Sequence, residues 1–386
     1  MRDEKSGGRE GARLASIDAL RGFVMILMLV DHVRETFFLH RQVGDPVDAA
    51  TVEPALFFTR WLSTLCAPVF VALAGLSAWL YGRRHGKREA SWFLLKRGCF
   101  LLFLELTFVG FAWSAQFPPR TFWLQVIWAI GVCMIALSAL LHLPRVWRFG
   151  LGAAIVCGHN LLDPIVLAPD SPWFVPWAML HQRAVIDLGG GMIAKTTYPV
   201  IAWIGVMLLG HAAGPWFAPN LEATQRIRRL TRLGIGLLIA FVLIRWMGAY
   251  GDRPWSRAGD GLRTLMGFLS LTKYPPSLLF LLPTLGTGAL LLALFEKWPS
   301  GRLPATLAVF GAGPMFFYLL HLYVLRGLYL IGLSLYGTNQ GAYFGFERIS
   351  SVWICSTLLL VALYFPTRWF AGVKRRRKDL AWLRYG

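Results

Sequence analysis

The sequence IDALRGFVMILMLVDHVRETFF, residues 17–38, has the length of a membrane helix and yet carries charge. The way in which the protein accommodates these charges decides the fold. Its uninterrupted apolar part, Gly22 to Val30, lies between Arg21 and the pair Asp31 and His32. A membrane helix needs about 20 mostly apolar residues, and a charge at the bilayer centre costs about 2.5–3.5 kcal/mol on insertion scales. The stretch therefore predicts a first helix whose ionisable side chains face protein or a water-filled cavity.

Helical spacing assigns these side chains to faces. Arg21 and His32 are about three turns apart, so they share one face and lie about 16 Å apart along the axis. Asp18 precedes Arg21 by one turn and can pair with it. Asp31 is rotated by about 100° from His32 and belongs to a flanking face. We expect His32 to do chemistry, and Asp18 with Arg21 to fix the cytosolic end of a site.

The bulk composition excludes an ordinary soluble enzyme. The chain has 386 residues, is 56% hydrophobic and 15% charged, and contains 17 Trp, which is typical of a polytopic, all-α membrane protein. A net charge of +19 would favour a nucleic-acid partner in a soluble protein, but here the basic residues follow membrane topology, and no nucleic acid is expected. The five cysteines lie in apolar runs without CxxC spacing, so no metal site is predicted.

The apolar runs predict a helical bundle of about ten spans, with a cytoplasmic arm at 1–16, a transmembrane domain at 17–371 and a basic cytoplasmic tail at 372–386. Alternating the sides from a cytoplasmic N-terminus places most of the 39 Lys and Arg residues inside. This asymmetry predicts that both ends are cytoplasmic. The expected spans are about 17–38, 56–81, 93–113, 122–142, 149–168, 197–217, 233–250, 277–296, 304–332 and 350–370.

Ionisable side chains in the later spans are functional candidates by default. They also have a structural interpretation, as helix partners or interface residues, which is favoured for His211 near a cytoplasmic helix end. For His321, deep in the apolar run FFYLLHLYVL, both interpretations stay open, as they do for the polar group around His159. The full set is Glu105, His211, Arg245, His321 and Arg326 in the spans, and His159, Asn160 and Asp163 at a predicted extracytoplasmic helix end.

A second unusual stretch is KYPPS at 273–277, before the eighth predicted span. Two prolines cannot continue a helix, and the residue before a proline is pushed to an extended conformation. Proline at a helix start explains the prolines alone. It leaves Lys273 and Tyr274 unexplained, so we assign both, together with His211 and His321, to a substrate site or pathway.

Histidine at the depth of His32 suits acid–base chemistry, because its ordinary pKa of about 6.5 lets it exchange a proton near neutral pH. It could take a proton from a sugar hydroxyl or amine while that group attacks an acyl carbon, or be acylated itself in a two-step reaction. Asp31 or another carboxylate could set its tautomer. The sequence contains no GxSxG, HExxH or P-loop motif.

The stretch SIDALRGFVMILMLVDH resembles bacterial members of the heparan-α-glucosaminide N-acetyltransferase-like family. In the wider group of transmembrane acyltransferases, the first span often reads LR followed by a histidine eleven residues after the arginine, and Leu20-Arg21 and His32 match that spacing. Further similar stretches are DHVRETFF at 31–38, LCAPVFVALAGLSAWL at 65–80, LQVIWAIG at 124–131, LTKYPPSLLFLL at 271–282 and FFYLLHLYVL at 316–325.

The resemblance implies acyl transfer across the membrane, from cytosolic acyl-CoA, above all acetyl-CoA, to a glycan amine or hydroxyl on the far side. No permanently bound cofactor is implied. Arg21, beside Asp18, becomes a donor-binding residue, and His32, beside Asp31, the catalytic base. In the animal enzymes the active histidine lies in the loop after the first span, where this chain has His40. His40 is therefore a rival, although its surroundings do not reproduce the animal motif.

The alternative function is a carrier or flippase for a small polar or glycan substrate, without bond chemistry, because charged residues in spans also mark transport pathways. An inverted repeat would favour the carrier, and none is evident. The expected partners are the lipid bilayer, acyl-CoA and the acceptor, in a bacterial inner membrane. Both a monomer and a homo-oligomer stay open.

Overall fold

The computed structural model of the chain describes the backbone of residues 2–380, apart from 258, 300 and 378, and the side chains from residue 15 onward. The described part is mostly helical. In chain order its α-helices are α1 Arg2–Phe37, α2 Pro54–Ser63, α3 Cys66–His85, α4 Lys87–Leu104, α5 Gly110–Ser114, α6 Val126–Leu140, α7 Arg145–Gly158, α8 Phe174–Leu180, α9 Ile201–Ala212, α10 Ala223–Met247, α11 Gly261–Leu269, α12 Leu278–Lys297, α13 Arg302–Ala312, α14 Pro314–Tyr336 and α15 Ile349–Arg376.

The chain divides into two compact units. The first comprises Met1–Cys66, Ser256–Ser270 and Gly288–Gly386, and the second comprises Ala67–Trp255 and Leu271–Thr287. The first unit therefore combines the two ends of the chain, which brings the charged helix α1 into one unit with α13, α14 and α15.

In the first unit, α1 packs most extensively against α13, and glycines make this contact close. A Cβ on Gly22 would lie 1.8 Å from the carbonyl oxygen of Leu307, and one on Gly311 would lie 1.9 Å from the carbonyl oxygen of Asp18. The two backbones touch here, as small residues allow in membrane helices. The contact also places the ionisable positions of α1 beside the helices that follow α13.

In the second unit, α4 packs on α6 and α7 on α9, again through glycines. A small sheet joins β1 Thr121–Leu124, β2 Val185–Gly189 and β3 Met192–Thr196 in the order β1-β3-β2. β1 runs parallel to β3, and β2 pairs with it as an antiparallel hairpin. The three glycines at 189–191 form the tip of this hairpin, and all three have positive φ. A buried cluster of Phe174, Ala178, Ile186 and Ala194 packs α8 against the sheet.

Five helical segments are long and apolar enough to cross a membrane, by length and composition. In α10 the large apolar side chains of Ile235, Ile239, Val242, Leu243 and Trp246 are exposed along one helical stripe, which is a lipid-facing surface. The chain is a membrane protein. The five segments are Pro54–His85, Ala223–Met247, Leu278–Lys297, Pro314–Tyr336 and Ile349–Arg376, and the shorter apolar helices are Val126–Leu140 and Ile201–Phe217.

The structure differs from the sequence-based expectation in three places. The expected all-α fold also contains the three-stranded sheet, because β1 pairs with β3, a segment about 70 positions later in the chain. The ninth predicted span, about 304–332, is two helices, since the backbone leaves the helical region at Gly313 and Pro314 starts α14. The fifth, about 149–168, ends as an α-helix at Gly158.

The two predicted end segments continue the helices next to them. α1 begins at Arg2, so the expected arm at 1–16 extends the first helix. α15 continues to Arg376, into the predicted tail at 372–386, of which residues 378 and 381–386 lie outside the described residues. Their cytoplasmic location stays a prediction.

Candidate active site

Two histidines from opposite ends of the chain form a buried pair in the first unit. His32 Nδ1 on α1 lies 2.7 Å from His321 Nε2 on α14. Both rings are shielded, with 7% of His32 and 0% of His321 exposed. The sequence predicted both as candidates, and the structure brings them into one hydrogen bond across 289 positions.

The neighbours of His321 determine how the protons are arranged in the pair. His321 Nδ1 lies 2.6 Å from the carbonyl oxygen of Phe317, one turn earlier on α14. A carbonyl only accepts, so Nδ1 of His321 carries a hydrogen and, in the neutral ring, Nε2 carries the lone pair. His32 must then donate from Nδ1, which leaves the lone pair of the neutral His32 ring on Nε2. That arrangement makes His32 Nε2 a proton acceptor.

Aromatic rings hold this pair in an apolar setting. The ring of Tyr318 meets both imidazoles edge-on, with each pair of centroids 5.7 Å apart. Phe317 packs against His321 at 5.1 Å. Because Phe317 and Tyr318 are themselves buried, little water can compete for the His32–His321 hydrogen bond.

Asp31 has a different role from the one expected of a tautomer-setting carboxylate. Its Oδ1 accepts from Arg34 Nε at 3.0 Å and Arg34 Nη2 at 2.8 Å, and its Oδ2 lies 3.9 Å from Arg60 Nη1 on α2. The predicted flanking face of α1 therefore carries a buried ion pair, while Nδ1 of His32 bonds to His321. In the structure, His321 takes the position we expected Asp31 to take.

At the other end of α1, the predicted pair of Asp18 and Arg21 is confirmed. Arg21 Nη1 donates to Asp18 Oδ1 at 2.6 Å and, more weakly, to the carbonyl oxygen of Gly311 at 3.4 Å. Both side chains stay partly exposed, at 18% for Arg21 and 32% for Asp18. Arg21 is thus held by α1 and α13 yet keeps surface for a ligand.

His40, the rival base, lies in the short 3-10 segment Leu39–Arg41 just after α1. Its ring packs against Phe38 at 4.9 Å, and its Nδ1 is buried without a hydrogen-bond partner among the described residues. Burial, and to a smaller extent the charge of Arg41, lowers the pKa of His40 below its ordinary value. His40 is therefore neutral at neutral pH, but no acceptor comparable to His321 orients its ring in the described structure.

Lys273 and Tyr274 belong to the second unit. Lys273 is buried, and its Nζ lies 5.1 Å from the centre of the Tyr274 ring. Tyr274 Oη donates to Tyr198 Oη at 3.3 Å, and the guanidinium of Arg183 lies 5.4 Å from the same ring. KYPPS thus forms a tight turn, with Lys273 bridged to Pro276, and the Tyr274 ring lies close to two cations.

His211, on α9 in the same unit, is buried against α3, where a Cβ on Gly75 would lie 2.8 Å from its backbone nitrogen. Its Nδ1 is buried without a hydrogen-bond partner among the described residues. Arg145 closes the same helix end by donating to the carbonyl oxygen of Ala212 at 3.1 Å. This setting fits the structural interpretation of His211, and a role in a substrate pathway stays a prediction.

Sequence reasoning missed Arg34 and Arg60, the partners of Asp31, and Tyr318 beside the histidines. The spacing of Asp31 and Arg34 on one helix is a usable signal for their ion pair. Arg60 and Tyr318 reach the site from other helices, and no local pattern in the sequence points to them.

The family model described as heparan-alpha-glucosaminide N-acetyltransferase, catalytic, matches residues 13–245, more than half of the chain. No curated protein matches the chain. The matched range contains the part of α1 that carries Asp18, Arg21, Asp31 and His32, and also His40.

Proposed function

The chain belongs to the heparan-alpha-glucosaminide N-acetyltransferase catalytic family, and we propose that it carries an acetyl group from cytosolic acetyl-CoA to a glycan amine or hydroxyl across the membrane. Membership of the family indicates a membrane-bound acyltransferase of the N-acetyltransferase type. The observation that carries the proposal is the buried chain of hydrogen bonds from Phe317 through His321 to His32.

In this proposal His32 is the general base. The acceptor nitrogen or oxygen attacks the carbonyl carbon of the acetyl thioester, and its proton passes to Nε2 of His32. The carbon–sulfur bond then breaks, and the proton leaves His32 with the CoA sulfur. His321 supports this step because Nδ1–H of His32 keeps donating to it as the His32 ring becomes charged, which stabilises that charge in an apolar site.

Asp18 and Arg21 form the donor end. A guanidinium is a strong partner for the phosphates of CoA, and the ion pair with Asp18 fixes its direction while leaving part of it exposed. The axial spacing of about 16 Å between Arg21 and His32 lets one helix reach from a cytosolic donor to an acceptor on the opposite side. This reach requires the ten-span, N-in and C-in topology of a bacterial inner-membrane protein, which is part of the proposal.

Two alternatives to this direct transfer lead to different predictions. In a two-step reaction, Nε2 of His32 would itself carry the acetyl group between donor and acceptor. In a carrier, acetyl-CoA would not be consumed, and family membership weighs against this alternative.

The test is acetyl-CoA consumption by the purified chain with glucosamine-type acceptors, followed as release of free CoA thiol. We expect turnover by the unaltered chain and a loss of about 10²–10⁴-fold in His32→Ala, the usual contribution of a general acid–base group. His40→Ala should retain most of the activity, and acetyl-CoA binding should persist in both variants. Undiminished turnover in His32→Ala would overturn the assignment, and a loss confined to His40→Ala would transfer it to His40.

A further inference from the structure

A second buried histidine lies in the other unit, outside the acetyl-transfer site. His159 begins the 3-10 segment His159–Leu162 that follows α7, and only 2% of it is exposed. Neither Nδ1 nor Nε2 of His159 has a hydrogen-bond partner among the described residues. A buried polar atom left without a partner costs about 1–3 kcal/mol, so a ligand at either nitrogen of this ring would remove such a cost.

Two further metal-ligating side chains face this ring. His181, just after α8, places its Nε2 2.9 Å from Asp163 Oδ1, and its Nδ1 is also buried without a hydrogen-bond partner in the described structure. The rings of His159 and His181 have centroids 5.9 Å apart. One ligand atom from each of His159, Asp163 and His181 lies within 4.8 Å of the other two.

The carboxylate of Asp163 is held in place from behind. Asn160 Nδ2 donates to Asp163 Oδ2 at 2.8 Å, and Asn160 Oδ1 accepts from the backbone nitrogen of Leu278 at 2.8 Å. This leaves Asp163 Oδ1 directed at the histidines. Hydrogen bonds of this kind orient the ligands of metal sites. The Asp163 side chain is 46% exposed, which gives an ion a path from solvent.

We propose that His159, Asp163 and His181 bind a divalent zinc ion. A set of two imidazoles and one carboxylate favours zinc over calcium or magnesium, which prefer oxygen ligands. Zinc–ligand distances of about 2.0–2.2 Å require ligand atoms about 3.3 Å apart, so small rotations of these side chains close the site. Three protein ligands leave a fourth position for water.

The ion would fasten the end of α7 to the end of α8. His159 and Asp163 come from the segment after α7, and His181 comes 18 residues after Asp163, beyond α8. Zinc would bind Nε2 of His181 in place of the hydrogen shared with Asp163, the neutral ring then carrying its hydrogen on Nδ1, and would satisfy a ring nitrogen of His159. The site is independent of the proposed acetyl transfer, because none of its ligands takes part in that reaction.

The test is zinc binding by the full-length chain, purified in detergent without a polyhistidine tag and stripped with EDTA. After dialysis against zinc chloride, metal analysis should find about one zinc per chain. His159→Gln should weaken binding by at least about 10-fold, in line with the usual effect of losing part of a metal site. His142→Gln, which changes an exposed histidine of the same unit, is the matched control and should bind zinc as the unaltered chain does.

Thermal stability gives a second measurement. An ion that binds only the folded chain raises its Tm by mass action, so zinc should raise the Tm of the unaltered chain and of His142→Gln. Asp163→Asn changes a part-exposed side chain without changing its size, and its Tm should not respond to zinc. The proposal is overturned if the unaltered chain binds no stoichiometric zinc, or if Asp163→Asn binds zinc and responds to it as the unaltered chain does.

Discussion

A histidine can act as a base only through the ring nitrogen that carries its lone pair. In the neutral His32 ring, His321, 289 positions away in the chain, determines which nitrogen that is. The carbonyl oxygen of Phe317 determines which nitrogen of His321 carries the hydrogen, and His321 in turn determines which nitrogen of His32 carries it. The order is the same as in enzymes where an acceptor orients a catalytic imidazole. Here a second imidazole takes the place of the usual carboxylate at Nδ1 of His32.

In the proposed reaction His321 is a positioning residue, and its substitution tests the order of these bonds. His321→Phe fills the same space but offers no acceptor to Nδ1 of His32, so both tautomers of His32 become populated. We expect kcat to fall by about 10²-fold, at the lower end of what an acid–base group contributes, with little change in KM for acetyl-CoA. Steady-state kinetics measures both values.

The control for this experiment is His321→Gln, which places an acceptor oxygen near the position of Nε2. It should recover part of the kcat lost in His321→Phe. Equal losses in the two variants would show that packing, and not the hydrogen bond, is what His321 contributes.

At the residue scale, sequence reasoning worked where the partners share a helix. Spacing along α1 placed Asp18 next to Arg21 and separated Asp31 from the face of His32, and the structure has both. It failed where the partners come from distant segments. Asp31 pairs with Arg60, and His159 meets His181, through tertiary packing that no local period records.

Among the helices, the contact between α1 and α13 is what positions Arg21. Gly22 and Gly311 let the two backbones meet, and the carbonyl oxygen of Gly311 also accepts from Arg21. The close approach is therefore needed both for packing and for the direction of Arg21. A wider spacing would remove the second bond of that guanidinium.

Substitution of these glycines should destabilise the first unit. In Gly311→Ala the new methyl group would lie 1.9 Å from the carbonyl oxygen of Asp18, a backbone atom that cannot move without the helix. Overpacking of this kind costs about 1–3 kcal/mol or more. The Tm of the purified chain, measured in detergent, should fall.

The matched control is Gly327→Ala on α14, where a Cβ would meet nothing within 4 Å. Its Tm should stay the same or rise slightly, because alanine favours a helix over glycine by about 1 kcal/mol. If both substitutions have the same effect on Tm, the close contact between α1 and α13 is not what matters.

The boundaries of helices and strands agree with the predicted spans only where the apolar runs are unbroken. The break between α13 and α14 is encoded by Gly313 and Pro314, but the apolar residues on both sides concealed it. Strand β1 lies at the start of the fourth predicted span, about 122–142, because its four residues, TFWL, are as apolar as a span. Its partner β3 lies some 70 positions later in the chain, as Thr121 pairs with Ile193. Local composition therefore could not distinguish this strand from a helix.

For the whole molecule, the distribution of basic residues makes the prediction with the widest consequences, because it predicts which side of the membrane each loop faces. The loop containing Asp170 and the basic start of α10 near Gln225 fall on opposite sides in the predicted topology. Both side chains are exposed. The same topology places the proposed zinc ligands, on either side of Asp170 in the sequence, on the extracytoplasmic side.

Cysteine labelling of cells that produce the chain tests this topology, after the exposed Cys99 and Cys157 are changed to alanine. A membrane-impermeant maleimide should label Asp170→Cys in spheroplasts and should label Gln225→Cys only after the membrane is opened. The reason is the bias of Lys and Arg toward cytoplasmic loops, of which Arg226, Arg228 and Arg229 beside Gln225 are an example. Labelling of Gln225→Cys in closed spheroplasts would reverse the orientation of this part of the chain. It would then also contradict the proposed direction of acetyl transfer, since Asp18 and Arg21 are placed at the donor side by the same rule.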